Sequence, residues 1–299
     1  MDKKPVAFAQ YYMNEELSLA ALHDRGARAL RASAAGQGPV ATPELDAELL
    51  LAHALGTSRA RLRSHPESIC DSTQCKRYLA LIERRATGEP LAYVLGYKDF
   101  WSLRLAVTPA VLVPRPETEL LVERALALRP EEFGRLADLG TGSGAIALSL
   151  AQERPGWLVF ATDASPEALA VARANAESLD LGRVQFLQGN WLQPLAGRTF
   201  DMIVSNPPYV AADDPAMLDP ALTHEPRGAL TPGTDAMACL RSIIATAPDH
   251  LERDGWLLLE HGADQAAEVA RELVARGLCH VRSHRDLAGH ERVTEAQRP

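Results

Sequence analysis

The chain has 299 residues, 46% of them apolar, with a formal net charge of −8. That length supports a sizeable core and two domains, and no apolar run is long enough to span a membrane. The charge divides unevenly: residues 1–90 carry +1 and residues 91–299 carry −9, so the larger part is a poor match for a polyphosphate backbone and favours a protein or small-molecule substrate.

The four cysteines, Cys70, Cys75, Cys239 and Cys279, form no CxxC pair. They suit a reduced cytoplasm better than a disulfide framework. His280 and His284 have an HxxxH spacing, but the segment reads as a strand, where the two would not share a helical face, and no third ligand is in view. No metal is expected. The N-terminus lacks an apolar segment with a small-residue cleavage site, and Glu15 and Glu16 argue against a transit peptide.

Residues 1–12 read as a frayed extension. A helical, alanine-rich pattern runs from about Asn14 to Ala32 and is broken by Ala35-Gly36-Gln37-Gly38-Pro39. Thr42 as N-cap, Pro43 at the first helical position and Gly56 past the end delimit a second helix, with Leu45, Leu49 and Ala52 on one face. A third runs from about Ser72 to Ala86, opened by Asp71 with Gln74 three residues on and stopped by Gly88. These helices predict a small helical domain over 14–87. Tyr93 to Val107 reads as a hairpin within a linker over 88–110. Pro109, Pro114 and Pro116 then forbid regular structure until a helix over 117–128.

From Arg135 strands and helices alternate, which predicts a mainly parallel, Rossmann-like α/β sheet covered on both faces, in a domain over 111–299. The expected strands are 135–138, 157–162, 184–188, 200–205, 255–260, 279–284 and 291–296. Helices centre on residues 148, 171, 243 and 270.

Asp138-Leu139-Gly140-Thr141-Gly142-Ser143-Gly144 follows the first of these strands and opens a helix. Gly140, Gly142 and Gly144 allow torsions and close ligand approach that a Cβ would block; Thr141 and Ser143 lie between them. Asp163 closes the next strand at the distance where an acidic group accepts from ribose hydroxyls. Asp138 either accepts from the ammonium of a bound amino acid or orders the loop. There is no Gly-Lys-Ser/Thr phosphate loop, which favours a sulfonium nucleoside over ATP. Glycines alone do not exclude a dinucleotide. Asn190 and Trp191 end the third strand; they serve either as adenine contacts or as a helix cap and a core indole.

Asn206-Pro207-Pro208-Tyr209 follows the buried run Met202-Ile203-Val204, which the prolines must stop. An amide and a phenol are thereby presented at a strand's C-terminal edge, where open α/β sheets place their ligands. Together with the glycine turn, this motif resembles those of methyltransferases that transfer a methyl group from S-adenosylmethionine to an amide or amino nitrogen. A primary amide nitrogen is a poor nucleophile, because its lone pair is delocalised. Methylating it requires both hydrogens held and the lone pair turned to the methyl donor. The Asn206 side-chain carbonyl and the Pro207 backbone carbonyl suit the two hydrogens. Tyr209 offers a ring face to developing positive charge, worth about 0.5–2 kcal/mol.

With these motifs the chain resembles the bacterial protein-(glutamine-N5) methyltransferases of the PrmC or HemK family. The resemblance extends over Gly88-Glu89-Pro90-Leu91-Ala92-Tyr93, Phe100-Trp101-Ser102-Leu103, Pro114-Arg115-Pro116-Glu117-Thr118-Glu119, the glycine turn, the Asn206 motif, Glu225-Pro226, Leu258-Leu259-Glu260-His261-Gly262 and Glu291-Arg292-Val293-Thr294. It implies an S-adenosyl-L-methionine-dependent methyltransferase fold with an N-terminal helical domain. The implied reaction is methylation of the glutamine in the Gly-Gly-Gln motif of class-1 peptide chain release factors. S-adenosyl-L-homocysteine is then the product, and Asn206, Pro207, Pro208 and Tyr209 hold the substrate, with Asn206 also beside the cofactor. Family members commonly carry an acidic residue at the Asn190 position, from which this sequence departs. Segment 114–119 is expected to line the cleft. Arg59, Arg61 and Arg63 form either a docking surface for the factor or a solvated basic face. The expectation is a cytoplasmic monomer that binds no nucleic acid directly. The Asn206 motif alone is shared with adenine-N6 methyltransferases, which leaves a nucleic-acid amino methyltransferase as the alternative.

Overall fold

The structure, a computed structural model, describes residues 16–37, 42–129 and 131–299. The expected extension over 1–12, Asn14, and Gly38 and Pro39 of the first loop lie outside these residues. The chain divides into two compact units. One comprises the described part of 1–96 together with 219–224, and the other 97–218 with 225–299.

In the first unit, the two-residue strands β1 (Leu17–Ser18) and β2 (Ile69–Cys70) pair antiparallel, and α1 (Leu19–Gln37), α2 (Pro43–Leu55) and α4 (Ser72–Ala86) enclose a core of Leu22, Leu30, Leu50, Leu51 and Tyr78. The start of α4 follows the sequence expectation in detail. Asp71 accepts from the Thr73 and Gln74 N–H groups, and the Gln74 side chain accepts from Asp71 N–H. This reciprocal cap satisfies donors that a helix start otherwise leaves free.

Several expectations are corrected here. Helix α1 runs on through Ala35, Gly36 and Gln37. The α2 face is rotated: Ala47, Leu50 and Leu51 are buried, and of the expected residues Ala52 is buried, Leu49 half-buried and Leu45 exposed. Thr42 sits at the cap position, but its hydroxyl donates to the Asp46 carboxylate instead of accepting from the backbone. A short helix, α3 (Arg59–Ser64), was not anticipated. Its one buried side chain, Leu62, is too little for a periodic signal. Residues 91–95 are helical (α5), not the first arm of a hairpin. Tyr93 and Val94 are both buried, as a helix packed on two sides requires, and Gly96 ends it in the left-handed conformation. The hairpin itself is β3 (Tyr97–Phe100) and β4 (Leu103–Ala106), and it belongs to the second unit.

The second unit is built on seven strands. These are β5 (Gly134–Leu139), β6 (Trp157–Asp163), β7 (Gln185–Gln188), β8 (Phe200–Ser205), β9 (Leu251–Glu260), β10 (Cys279–Arg285) and β11 (Glu291–Gln297). Their order is β10-β11-β9-β8-β5-β6-β7. The β7, β6, β5, β8 and β9 strands run parallel, and β11 and β10 are antiparallel additions.

Successive strand residues point to opposite faces, and both faces here are apolar. Leu136, Val159, Met202, Val204 and Leu258 pack with α6 (Glu119–Leu128) and α7 (Ala145–Glu153) in one core. Ala137, Leu139, Phe160, Ile203 and Leu257 pack in the other with α10 (Ala238–His250) and α11 (Ala266–Ala275), which follow α8 (Pro166–Ser178) and the four-residue α9 (Arg227–Leu230) in the chain. Each large aliphatic side chain so buried stabilises the fold by about 1.5–3 kcal/mol. The chain leaves β5 toward β6 and β7, then returns to β8 on the other side of β5. This makes a topological switch point at the C-terminal ends of β5 and β8, where such sheets bind ligands.

Candidate active site

Leu139 and Ser205 are register partners on β5 and β8, so the glycine turn and the Asn206 motif leave neighbouring strands at the same level. Gly140, Gly142 and Gly144 all have positive φ, at 73°, 54° and 86°. A Cβ on Gly144 would stand 2.9 Å from Leu148 Cδ1, and one on Gly140 would stand 3.2 Å from the Trp191 ring. The turn is thus pressed against its own helix on one side and the indole on the other.

Most of the turn's donors are already used. Gly140 and Thr141 N–H both donate to the Thr162 carbonyl at 2.9 Å, Gly142 N–H to Asp163 Oδ2 at 2.9 Å, and Gly144 N–H to the Thr141 carbonyl at 2.8 Å. A phosphate-binding turn would aim such groups at its ligand. This one closes on itself, leaving a smooth, glycine-lined wall.

Asp138 lies beneath the turn, fully buried. Its Oδ2 accepts from the Thr141 hydroxyl at 2.6 Å and the Ala147 N–H at 3.2 Å, while Oδ1 is buried without a partner. Burial pushes its carboxyl up to about 7, against the opposing effect of those two hydrogen bonds. Its observed contacts order the loop. Asp163 lies at the cavity wall and is held from behind: Oδ2 accepts from Gly142 N–H and Oδ1 from Ser165 N–H at 2.9 Å. Each oxygen keeps a lone pair for a ligand hydroxyl. Burial raises its pKa despite the N–H groups of Ser165 and Gly142.

One cavity of about 580 Å³ gathers Gly140, Thr141, Gly142, Ser143, Asp163, Asn190, Trp191, Asn206 and Pro208. That volume is typical of a small-molecule cofactor site. Four other residues expected at the site, Asp138, Gly144, Pro207 and Tyr209, are not on its wall. Pro114, Arg115 and Thr118 are, as expected for segment 114–119. Trp191 joins the cavity to the core, packing on the apolar cluster below it. The lining suits a nucleoside: a carboxylate for ribose hydroxyls, an amide and a flat indole for a base, and an arginine, Arg115, that is already paired with Glu225.

Tyr209 is fixed behind Asn206. Its hydroxyl donates to Glu260 Oε1 at 3.3 Å, and its carbonyl accepts from Gln265 Nε2 at 3.0 Å. Burial raises its pKa, as does the neighbouring Glu260 charge. Sequence reasoning assigned no task to several residues that shape the site. Glu225, buried, accepts from Arg115 at 2.6 Å and from Val113 N–H at 3.2 Å, fastening the proline-rich segment. Asn175 donates to the Ser143 carbonyl at 2.9 Å and to the Ala106 carbonyl at 3.0 Å, tying the turn to the hairpin. Their only sequence signal was type: an amide in an apolar helix face, and a carboxylate just ahead of a proline.

Among the described residues no group of three or more His, Cys, Asp or Glu side chains is arranged to hold a metal ion. No described helix is long and apolar enough to cross a membrane.

In the first unit, Arg59 and Arg63 both pair with Glu48, at 2.9 and 2.6 Å. Two of the three arginines considered for docking are therefore neutralised, and Arg61 remains exposed.

Comparisons with known proteins identify the family. Residues 22–96 match the PrmC N-terminal domain and residues 116–237 the methyltransferase small domain. The chain is 48% identical to the release factor glutamine methyltransferase of Coxiella burnetii, covering 86% of this chain and 92% of that protein. It is 50% identical to the Pseudomonas aeruginosa protein of the same name, covering 85% and 92%. Among solved structures, the hMettl16 catalytic domain in complex with MAT2A 3′UTR hairpin 6 shares the fold at TM-score 0.55 and 18% identity, covering 72% of this chain and 81% of that one. With 85–86% of its length matched at 48–50% identity, the chain belongs to the release factor glutamine methyltransferase family.

Proposed function

We propose that this protein transfers a methyl group from S-adenosyl-L-methionine to N5 of the glutamine in the Gly-Gly-Gln motif of class-1 peptide chain release factors. The observation that carries this reading is the meeting of Asn206 with a closed, phosphate-indifferent glycine turn in one cavity. The names of the relatives supply the substrate.

The bound cofactor supplies an electrophilic methyl group on a sulfonium. Asp163 holds its ribose, Trp191 and Asn190 its base, and the Gly140–Gly144 turn its backbone-facing edge. Asp138 acts from below by shaping that turn. Asn206 Oδ1 and the Pro207 carbonyl accept the two hydrogens of the substrate amide, which turns the nitrogen lone pair toward the methyl group. Tyr209, anchored at its hydroxyl and its carbonyl, offers a stationary ring as the nitrogen becomes cationic. Orientation of two bound reactants is the main contribution. The protonated amide formed by transfer is acidic enough to lose its proton to water, so no base is needed. The protein acts as a cytoplasmic monomer and takes no nucleic acid as substrate, in keeping with the −9 charge of residues 91–299.

The test is transfer of labelled methyl from adenosylmethionine to purified release factor, beside a variant whose Gly-Gly-Gln glutamine is alanine, with DNA and tRNA in parallel. Label on the intact factor alone is the expected result. Label on nucleic acid with the factor untouched would overturn the substrate assignment and retain the fold.

A further inference from the structure

The Asn206 motif is tied to a distant turn through a single side-chain amide. Pro207 and Pro208 have no N–H to donate, so these two residues offer only carbonyls for holding the main chain beyond Asn206. On the reading given above, the Pro207 carbonyl has to stay free for the substrate. Tyr209, the residue after them, accepts at its carbonyl from Gln265 Nε2 at 3.0 Å. Gln265 Oε1 in turn accepts from the Gly262 N–H at 2.8 Å. Both ends of this buried amide are thereby spent on main chain from two separate loops.

The main chain fixes which way the amide faces. An N–H only donates and a carbonyl only accepts, so Oε1 has to face Gly262 and Nε2 has to face Tyr209. The reverse orientation would set like against like at both ends. Gln265 lies directly against the turn, since a Cβ on Gly262 would stand 3.2 Å from its Oε1. The turn is itself anchored to the sheet. His261, fully buried just past β9, donates its N–H to the Arg292 carbonyl at 2.9 Å, and its Nε2 is bonded to Thr294 Oγ1 at 2.7 Å. Gln265 therefore carries the position of the β9–β11 edge to the motif that follows β8.

We propose that Gln265 is a positioning residue for methyl transfer: it sets Tyr209, and with it the Pro207 carbonyl and the Pro208 ring, where the substrate amide is held. The proposal rests on the reading of the Asn206 motif as the group that holds the substrate. Pro208 lines the cavity and Gln265 does not, so Gln265 acts through the motif and touches neither reactant. The Tyr209 hydroxyl contact with Glu260 leaves the main chain free to shift; the second contact, at the carbonyl, removes that freedom. Cofactor affinity rests on other residues, Asp163, Trp191 and the glycine turn. Loss of the tie is therefore expected to fall on the orientation of the reactants.

Two substitutions separate this role from simple support of the turn. Gln265→Glu keeps an acceptor for the Gly262 N–H, and a carboxylate suits the start of α11, which Gln265 caps; what it loses is the donor to Tyr209. Gln265→Met keeps the shape and loses both bonds. The variants are compared at mildly alkaline pH by kcat for methyl transfer to the release factor, by adenosylmethionine Kd and by ¹⁹F spectra of fluorotyrosine-labelled protein. The chain has six tyrosines, and the Tyr209 signal is assigned by its loss in Tyr209→Phe. Both variants are expected to move the Tyr209 signal while that of Tyr78, in the other unit, stays in place. Both are expected to lower kcat about tenfold or more, the scale of a small misplacement of reacting groups, with cofactor Kd within about threefold. Full activity in Gln265→Glu would overturn the proposal and leave Gln265 as support for the turn. An unmoved Tyr209 signal, or equal losses in kcat and cofactor affinity, would overturn it too. Should Gln265→Met fail to fold, Gln265→Glu decides alone. If the wild-type protein transfers no methyl to the factor, the functional reading fails by itself, and the Tyr209 signal decides whether the tie exists.

Discussion

Ser205 donates its hydroxyl to the Leu139 carbonyl at 2.7 Å, with both groups fully buried. The bond is a side-chain rung across the two strands at the switch point, one residue before each strand releases its loop. It holds the glycine turn and the Asn206 motif at a common level. Ser205→Ala is expected to cost about 1 kcal/mol of stability, measured by urea denaturation. Because Gly140 and Asn206, the next residue of each strand's loop, line the cavity, adenosylmethionine affinity is expected to weaken as well. Unchanged stability and affinity would show that the main-chain ladder suffices.

The glycine turn separates two kinds of constraint. Gly142 has positive φ with nothing within 4 Å of an added Cβ, whereas Gly144 combines positive φ with a 2.9 Å clash against Leu148. Gly142→Ala is expected to cost about 1–2 kcal/mol from backbone strain, and Gly144→Ala about 2–4 kcal/mol from strain and overpacking together. Equal losses in thermal unfolding would mean that α7 shifts to absorb the methyl group.

Glu48 predicts acid sensitivity in the helical unit. Its hydrogen bond from Arg63, followed by that from Arg59, holds its carboxyl down to about 2 from an ordinary 4.5, against the opposing effect of burial. A depressed carboxyl stabilises the fold at pH above its unfolded value and loses that contribution as pH falls through the folded one. Glu48→Gln should therefore be less stable than wild type at neutral pH, by about 1–3 kcal/mol for hydrogen bonds to a charged group. The gap should close as pH falls from 4.5 toward 2. A gap independent of pH would assign the loss to packing.

Asp138 works in the opposite sense. Burial raises its carboxyl from 3.8 to about 7, so below 3.8 folded and unfolded chains are both protonated. Between those values the fold keeps a proton the unfolded chain has lost, and stability falls as pH rises through the window. Glu260, raised from 4.5 to about 7, adds to the same slope. Asp138→Asn should flatten the decline, and Asp138→Asn with Glu260→Gln should flatten it further, in denaturation curves between about pH 4 and pH 8. A slope unchanged in both variants would place its source elsewhere.

Local chemistry made much of this protein legible in its sequence. The Asp71 and Gln74 cap and the seven strand segments rest on neighbours in the chain, so short-range pattern reveals them. The glycine turn and the Asn206 motif were visible for the same reason, since residue type and spacing carry their backbone geometry. Residues 91–95 were misread as strand, because a short apolar run buried on two sides has no period to distinguish helix from strand. The α2 face was misjudged, because which side of a helix is buried depends on α1 and α4, not on α2 alone. Only the tertiary structure decided that Asp138 lies under the turn while Asp163 reaches its wall, and that the turn's N–H groups are consumed at Thr162 and Asp163. It also decided that Asn206 meets Thr118, far from it in sequence, at 3.1 Å. Those facts depend on strand order and on which side chains meet across the sheet, and an order such as β9-β8-β5-β6 is a long-range outcome of packing both faces at once.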